Sequence, residues 1–221
     1  MNIGSESELA LNKVPRRERE RRQRRADILR GAETVFAARG FHAASIEQIA
    51  SAAEYATGTV YLYFRDKEAL YLELFEEKIR ELGELVRQRI DGLKDPLESI
   101  RQLVAARMEY FEKNKSFFRI YAREGLNWDQ TPHDSWSGVM RLYEEYLELL
   151  ASLLASGQRR GTFRKGNPRQ FAVALSGMMI QLTRDQLRTH QSVPLTDLTP
   201  LVLDLFLNGM TAKGRLLLRS K

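Results

Sequence analysis

Apolar residues recur at intervals of three and four positions along almost the whole chain, and long alternating runs are absent. Such spacing places the apolar side chains on one face of an α-helix. Only 6 of the 221 residues are proline, so long helices are permitted through most of the sequence. The pattern therefore predicts an all-α protein with about nine helices.

Capping signals divide the first part of the chain into four helices. Gly40 is a suitable stop for the first, and Ser45 with Gln48 three residues later forms a capping-box sequence for the second. Asp66 is a candidate N-cap for the fourth. The expected helices cover about residues 21–39, 46–52, 57–64 and 67–91.

Five further helices are expected in the second part of the chain. Gly92 and the Asp95-Pro96 pair end the fourth helix, and the Asn167-Pro168 pair combines an N-cap residue with a first-turn proline. The expected helices cover about residues 96–113, 116–125, 134–158, 168–190 and 196–218.

The segment 45–64 reads as a helix-turn-helix. Its first helix would pack Ile46, Ile49 and Ala50 inward, and a tight break follows at about residues 53–55. The second helix then carries small polar residues near its N-terminal end, which is the end that enters the major groove in such motifs. The order of residues here resembles the TetR family of bacterial transcriptional regulators, in the motifs Gly58-Thr59, Tyr61-Leu62-Tyr63-Phe64 and Lys67-Glu68-Ala69-Leu70.

The resemblance covers about residues 22–75 and implies much of the expected function. It implies a cytoplasmic homodimer that binds a pseudo-palindromic, double-stranded DNA operator, represses transcription and releases the operator when a small hydrophobic or amphipathic effector binds. The expected domains are a disordered basic N-terminal arm, a three-helix DNA-binding domain with the helix-turn-helix, and a C-terminal bundle for ligand binding and dimerisation. Their expected ranges are 1–20, 21–82 and 83–221.

The turn departs from the family pattern at three consecutive residues. Glu54, Tyr55 and Ala56 stand where the family usually has Gly, a small apolar residue and a capping Ser. A glutamate in a left-handed turn costs on the order of 1 kcal/mol. Loss of the capping hydroxyl costs about as much unless Thr57 takes over. These departures indicate an operator that differs from those of better-known members.

The net charge of +6 is concentrated near the start of the first helix. The segment 16–25 holds seven Arg and two Glu, which gives 7 − 2 = +5 and leaves +1 for the other 211 residues. A local basic arm before a helix-turn-helix suits phosphate neutralisation. The alternative is a solvated, partly helical tail.

Candidate contacts to DNA are hydroxyl, phenol, cationic and glycine positions around the motif. Tyr63 and Phe64 have the alternative of core packing, which we expect for Phe64. The DNA-binding candidates are Ser45, Thr57, Gly58, Thr59, Tyr61, Tyr63, Lys67, Arg24 and Arg25.

Candidate effector and dimer residues lie in the C-terminal part, where each has the alternative of ordinary core packing. Flexible methionine and flat aromatic side chains suit an apolar ligand, and arginine suits an anionic head, as in a fatty acyl thioester. The pocket candidates are Arg107, Met108, Phe111, Phe118, Tyr121, Trp128, Trp136, Met140 and Met178. The dimer candidates, assigned by the family's use of its last two helices, are Phe171, Leu175, Leu182, Leu201, Leu205 and Phe206.

Several other classes of protein are not expected. The chain has no cysteine, its three histidines lie in separate elements, and no phosphate loop or nucleophile elbow occurs, so we expect no enzyme, metal or cofactor. No apolar run approaches the ~20 residues that cross a bilayer, and the N-terminus lacks a signal-peptide layout. The open alternatives are a ligand-independent or architectural DNA-binding protein and a helical scaffold whose arm meets acidic lipids.

Overall fold

The computed structural model describes residues 15–124, 136–189 and 193–210, and within them the chain is all-helical, as predicted. The described residues form nine α-helices, with a 3-10 turn at Leu195–Asp197. The helices are α1 (Arg16–Arg39), α2 (Ile46–Ala52), α3 (Thr57–Tyr61), α4 (Lys67–Ile90), α5 (Pro96–Lys113), α6 (Lys115–Glu124), α7 (Ser137–Arg159), α8 (Pro168–Arg188) and α9 (Leu198–Met210).

The chain divides into two compact units between Leu74 and Phe75, inside α4. We call them the N-terminal unit, which ends at Leu74, and the C-terminal unit, which begins at Phe75. The sequence-based division at residues 82 and 83 stays a prediction.

Helix α1 begins at Arg16, five residues before the expected start. The residues 16–20 are therefore helical, which corrects the expectation of a disordered arm over that range. The early start follows from composition, because Arg, Glu and Gln are good helix formers and opposite charges recur four residues apart. Arg16 Nε lies 2.7 Å from Glu20 Oε1, and Arg22 Nε lies 3.0 Å from Glu18 Oε1. The remainder of the predicted arm, residues 1–14, lies outside the described residues.

The N-terminal unit is built on one apolar face of α1, which packs against α2. Gly31 marks the closest approach, because a Cβ at this position would lie 2.9 Å from Ala53 Cβ and 3.0 Å from the Ile49 carbonyl oxygen. Val60 fixes α3 on the same core, since its side chain is fully buried. The core residues contributed by α1 and α2 are Ile28, Leu29, Ala32, Val35, Phe36, Ile46, Ile49 and Ala50.

The predicted capping residues are confirmed at three helix starts. The Gln48 N–H donates to Ser45 Oγ at 3.3 Å, and the Ser45 N–H donates to Gln48 Oε1 at 3.1 Å, which completes the capping box of α2. Asp66 Oδ1 accepts from the Ala69 N–H at 2.7 Å, and Asn167 caps α8 in the same way. These side chains satisfy N–H groups that a helix start leaves without a backbone partner.

The C-terminal unit is organised around α5, which packs against α7, α9 and the 3-10 turn, while α8 packs against α6, α7 and α9. Ten residues of α5 are buried, so this helix has no wide polar face. The expected extension of α9 to residue 218 and the expected start of α7 at residue 134 fall outside the described residues.

Replacing Gly31 with alanine is expected to lower the free energy of unfolding by about 1–3 kcal/mol, because the methyl group overpacks the contact between α1 and α2. Gly58→Ala is the matched change, since a Cβ there meets no atom within 4 Å. That variant should be equally stable or up to about 1 kcal/mol more stable, because alanine is the better helix former. Urea unfolding followed by circular dichroism measures both. Equal stabilities of the two variants would contradict the packing argument.

Candidate nucleic-acid interface and ligand cavity

The start of α3 presents its backbone to solvent. Thr57 and Thr59 are half-buried, whereas Gly58 between them is exposed. Because a Cβ at Gly58 would meet nothing within 4 Å, the packing of the protein itself does not require glycine here. Ala56 stands at the N-cap position without a side-chain hydrogen bond, as the sequence predicts. The open backbone at this helix start is available to a partner that approaches closely.

The end of α3 exposes two large apolar side chains. Tyr61 is 52% exposed and Leu62 is 82% exposed, whereas Phe64 is buried, as expected. Tyr63 is half-buried, and its contact with DNA stays a prediction. Leu62 is not among the sequence-based candidates, although Val60 and Phe64, four residues apart, both face the core. A residue midway between them must point away from it.

The turn between α2 and α3 holds Glu54 in the left-handed region, with φ of 60°. It is the one non-glycine residue with positive φ in the described ranges. Backbone hydrogen bonds close the turn: the Glu54 N–H donates to the Ser51 carbonyl at 3.2 Å and the Tyr55 N–H donates to the Ala50 carbonyl at 2.9 Å. The surrounding structure therefore holds the glutamate in a conformation that side chains disfavour.

Tyr55 ties this turn to α1. Its hydroxyl donates to Asp27 Oδ2 at 2.9 Å, and Asp27 also accepts from Gln23 and Arg30. The hydrogen bond to Asp27, followed by burial, raises the pKa of Tyr55. Burial acts to raise the pKa of Asp27, but the hydrogen bonds from Tyr55 and Gln23 and the charge of Arg30 outweigh it and hold that pKa below its usual range. The unusual tyrosine thus carries a hydrogen bond that a small apolar residue does not offer.

Lys67 is hydrogen-bonded within the N-terminal unit, and its contact with DNA stays a prediction. Its Nζ donates to the carbonyl oxygens of Phe41 at 2.7 Å and Ala44 at 2.8 Å, with His42 at 3.4 Å. It also lies 4.6 Å from the centroid of the Phe41 ring. An ammonium group has three donor hydrogens, and the loop between α1 and α2 occupies them.

The two arginines proposed for phosphate contact differ in environment. Arg25 forms an ion pair with Glu73, and its guanidinium lies 4.9 Å from the centroid of the Phe64 ring. This ion pair partly compensates the charge of Arg25, whose contact with phosphate stays a prediction. Arg24 is exposed. Ser45 is half-buried, and its hydroxyl oxygen is engaged in the cap of α2, which still leaves a phosphate contact there a prediction.

A cavity of about 170 Å³ lies inside the C-terminal unit, between α4, α5, α6, α7 and α8. Four of the predicted pocket residues line it, namely Arg107, Phe111, Phe118 and Tyr121. The residues that sequence reasoning did not select for the lining are Phe75, Lys78, Ile79, Leu82, Tyr110, Phe117, Val139, Tyr143, Tyr146 and Ile180.

The other pocket candidates are placed elsewhere. Met108 is fully buried but does not line the cavity. It is the residue after Arg107, and successive side chains of a helix point about 100° apart. Trp136 packs edge-on against Phe75 with ring centroids 5.7 Å apart. Met140 and Met178 are half-buried and outside the lining, and Trp128 lies outside the described residues.

Arg107 is the most unusual residue of the lining. It is only 3% exposed, and its Nη1 donates to Tyr146 Oη at 2.7 Å and to Ser176 Oγ at 3.1 Å. Its guanidinium lies 4.8 Å from the centroid of the Tyr146 ring and 5.1 Å from that of Phe111. Its buried Nε has no hydrogen-bond partner. Neutral hydroxyls and rings therefore surround a buried cation.

The dimer candidates divide into buried and exposed residues. Leu175 is fully buried and Phe206 is nearly so, which places both in the core of the C-terminal unit and corrects their assignment to a dimer surface. Leu201 and Leu205 are 45% and 53% exposed, and Val173 of α8, not predicted, is similarly exposed. Phe171 and Leu182 are half-buried.

Among the helices that the structure describes, none is both long and apolar enough to span a membrane. The same residues contain no group of three or more His, Asp or Glu side chains suited to a metal ion.

Two family descriptions match the sequence. "Bacterial regulatory proteins, tetR family" matches residues 28–74, and "Tetracyclin repressor-like, C-terminal domain" matches residues 96–188. The first range contains the helix-turn-helix, and the second contains helices α5 to α8.

Individual relatives extend this finding. The HTH-type transcriptional repressor NicS of Pseudomonas putida is 33% identical over 142 residues, which are 63% of this chain and 66% of NicS. The fatty acid degradation regulator FadR of Bacillus halodurans has a TM-score of 0.76 at 26% identity, over 84% of this chain and 95% of that one. The regulator FadR of Bacillus subtilis, solved in complex with stearoyl-CoA, has a TM-score of 0.75 at 23% identity, over 83% of this chain and 98% of that one.

Glu54→Gly is expected to raise the free energy of unfolding by about 1 kcal/mol, because glycine adopts the left-handed conformation without a Cβ clash. Ala52→Gly, two residues earlier in right-handed helix, should instead lower it by about 0.5–1 kcal/mol. Thermal unfolding of both variants and of the parent protein measures whether each substitution raises or lowers the free energy of unfolding. A destabilising Glu54→Gly would mean that the glutamate side chain contributes more than the strain costs.

Proposed function

The chain belongs to the TetR family and is a DNA-binding transcriptional regulator, not an enzyme, and on that premise we propose that it is a homodimeric repressor released from its operator by a small hydrophobic or amphipathic effector. The proposed contact with DNA is supported by the exposed backbone at Gly58. The observation that carries the effector is the cavity of the C-terminal unit.

We assign the base-reading role to the start of α3. Gly58 allows the backbone to approach the DNA, and the hydroxyls of Thr57 and Thr59 reach bases or phosphates. The phenol of Tyr61 reaches a phosphate, and Leu62 offers an apolar surface to a thymine methyl group. The positive charge of the first turns of α1 adds attraction to the backbone, which depends on salt and not on sequence.

Dimerisation is proposed through α8 and α9. Val173, Leu201 and Leu205 expose apolar side chains on these two helices, and a second copy of the same surface can cover them. A two-fold dimer presents two copies of α3 to half-sites about 34–36 Å apart, which matches a pseudo-palindromic operator.

The cavity favours regulation by an effector over ligand-independent binding. Twelve of its fourteen lining residues are Phe, Tyr, Ile, Leu or Val with no formal charge and lie around one buried cation, as expected for an amphipathic ligand. The stearoyl-CoA bound to FadR of Bacillus subtilis, a protein of the same fold, supports an effector of this kind. Helix α4 contributes residues to both units, so a ligand at its Phe75, Ile79 and Leu82 can act on the element that also carries Lys67.

Footprinting on the intergenic DNA upstream of its own gene tests the DNA contact, at low and at higher salt. The parent protein should protect a pseudo-palindrome at both, because base contacts persist when phosphate attraction is screened. Gly58→Ala should lose at least about tenfold in operator affinity while remaining folded, since its methyl group occupies the space of the DNA backbone or base.

Thr59→Ala should also weaken protection, whereas Thr34→Ala, which removes an exposed hydroxyl on α1, should not. Uniform protection that vanishes at higher salt would leave only the electrostatics of α1 and support the architectural alternative. Unchanged affinity of both Gly58→Ala and Thr59→Ala would refute the assignment of α3.

Leu205→Glu is expected to convert the dimer to a monomer, because two carboxylates would be brought together in an apolar interface. Leu93→Glu is the matched control, since Leu93 is also partly exposed but lies in the loop after α4. Light scattering coupled to size-exclusion chromatography measures the mass of each variant. A dimeric Leu205→Glu protein would contradict the assignment of α9.

A further inference from the structure

We propose that the cavity of the C-terminal unit binds a small monocarboxylic acid, whose carboxylate pairs with Arg107 and whose ring-sized apolar body lies among the aromatic side chains. This inference rests on the proposed effector role and names the chemical class of the effector.

The positive charge of Arg107 is not compensated within the described residues. A guanidinium stays protonated in proteins, and a buried charge is costly unless it is paired. No carboxylate of the described residues forms an ion pair with Arg107. Lys78 is the other cation of the lining. Its Nζ lies 3.7 Å from Glu81 Oε2, so its charge is compensated by that carboxylate. A ligand with one negative charge supplies what Arg107 lacks.

The hydroxyl groups next to Arg107 do not supply the missing negative charge. Burial raises the pKa of Tyr146 and of Tyr121, although Arg107 acts in the opposite direction on both. Both phenols therefore remain neutral near pH 7. Tyr146 and Ser176 accept hydrogen bonds from the same nitrogen, Nη1. These two hydrogen bonds hold the guanidinium in place. The Nε–H group of Arg107, which has no partner, remains available as a donor.

The hydroxyls also fit a carboxylate better than a neutral head. The Tyr143 and Ser176 hydroxyl oxygens lie 3.4 Å apart, and either one can donate to the other. The hydroxyl that accepts in this pair keeps its own hydrogen for a ligand bound near Arg107. A planar guanidinium matches the two oxygens of a carboxylate. A phosphate monoester carries close to two charges near pH 7 and would need a second open cation in the lining.

The volume of the cavity limits the size of the ligand. The cavity measures about 170 Å³, close to the ~150 Å³ apolar cavity that holds benzene and below the ~300–1,000 Å³ typical of drug-sized ligands. A ring or a short aliphatic chain fits such a space. A long acyl-CoA does not fit in this cavity, and the thioester carbonyl, being neutral, would leave Arg107 uncompensated.

The experiment compares acids with their neutral amides by isothermal titration calorimetry on the full chain without DNA. The probes are benzoate, phenylacetate and hexanoate, each paired with its amide, together with palmitoyl-CoA. At least one acid should bind ten- to hundredfold more tightly than its amide, the range expected for a charged hydrogen-bonded pair. Equal binding of every acid and its amide, no binding of any acid at millimolar concentration, or binding of palmitoyl-CoA alone would each overturn the proposal.

Arg107→Met tests the partner of the carboxylate. It should weaken acid binding at least tenfold and leave amide binding within about twofold, because methionine keeps the apolar bulk and removes the charge. Arg101→Met, on an exposed position of the same helix, should change neither. Retention of acid binding by folded Arg107→Met would overturn the assignment. If this variant does not fold, the comparison of acid with amide on the parent protein tests the proposal by itself.

Operator footprinting separates this proposal from the proposed function. A protein that prefers acids to amides but protects no operator would refute the regulatory proposal and retain the carboxylate site. A protein that protects an operator but does not distinguish acid from amide would refute the carboxylate site alone.

Discussion

The close approach of α1 to the end of α2 determines where the residues proposed to contact DNA lie. Gly31 leaves the space that Ala53 fills, and the chain then turns at once through Glu54. Because α2 lies so close to α1, the Tyr55 hydroxyl reaches Asp27 on α1. This hydrogen bond holds the turn between α2 and α3 against α1. Helix α3 has only five residues and a single fully buried anchor, Val60, so its orientation depends on this framework and not on its own stability.

The local features of the fold were predictable because they depend on short-range chemistry. The capping box at Ser45, the cap at Asp66 and the left-handed conformation of Glu54 each follow from residues within a few positions of each other. The burial of Phe64 follows from the spacing of apolar residues in the same way.

The contacts that could not be predicted from the sequence join residues that are far apart along the chain. Lys67 is bound by carbonyls more than twenty residues earlier, and Arg25 pairs with Glu73, contacts that no spacing rule indicates. Arg107 and Met108 are adjacent in sequence, yet only Arg107 lines the cavity, because successive residues of a helix point about 100° apart. Which face of α7 supplies Tyr143 and Tyr146 is likewise set by packing among several helices.

The open space at Gly58 has an evolutionary consequence. The protein's own folding places no steric demand on that position, since nothing lies within 4 Å of a side chain placed there. Substitutions at Gly58 are therefore not filtered by the requirement to fold, which leaves the proposed contact with DNA as the constraint on this position. If Gly58 meets DNA as proposed, descendants of a duplicated gene can diverge in the promoters they control through this one codon, while the cavity proposed for the effector is inherited unchanged.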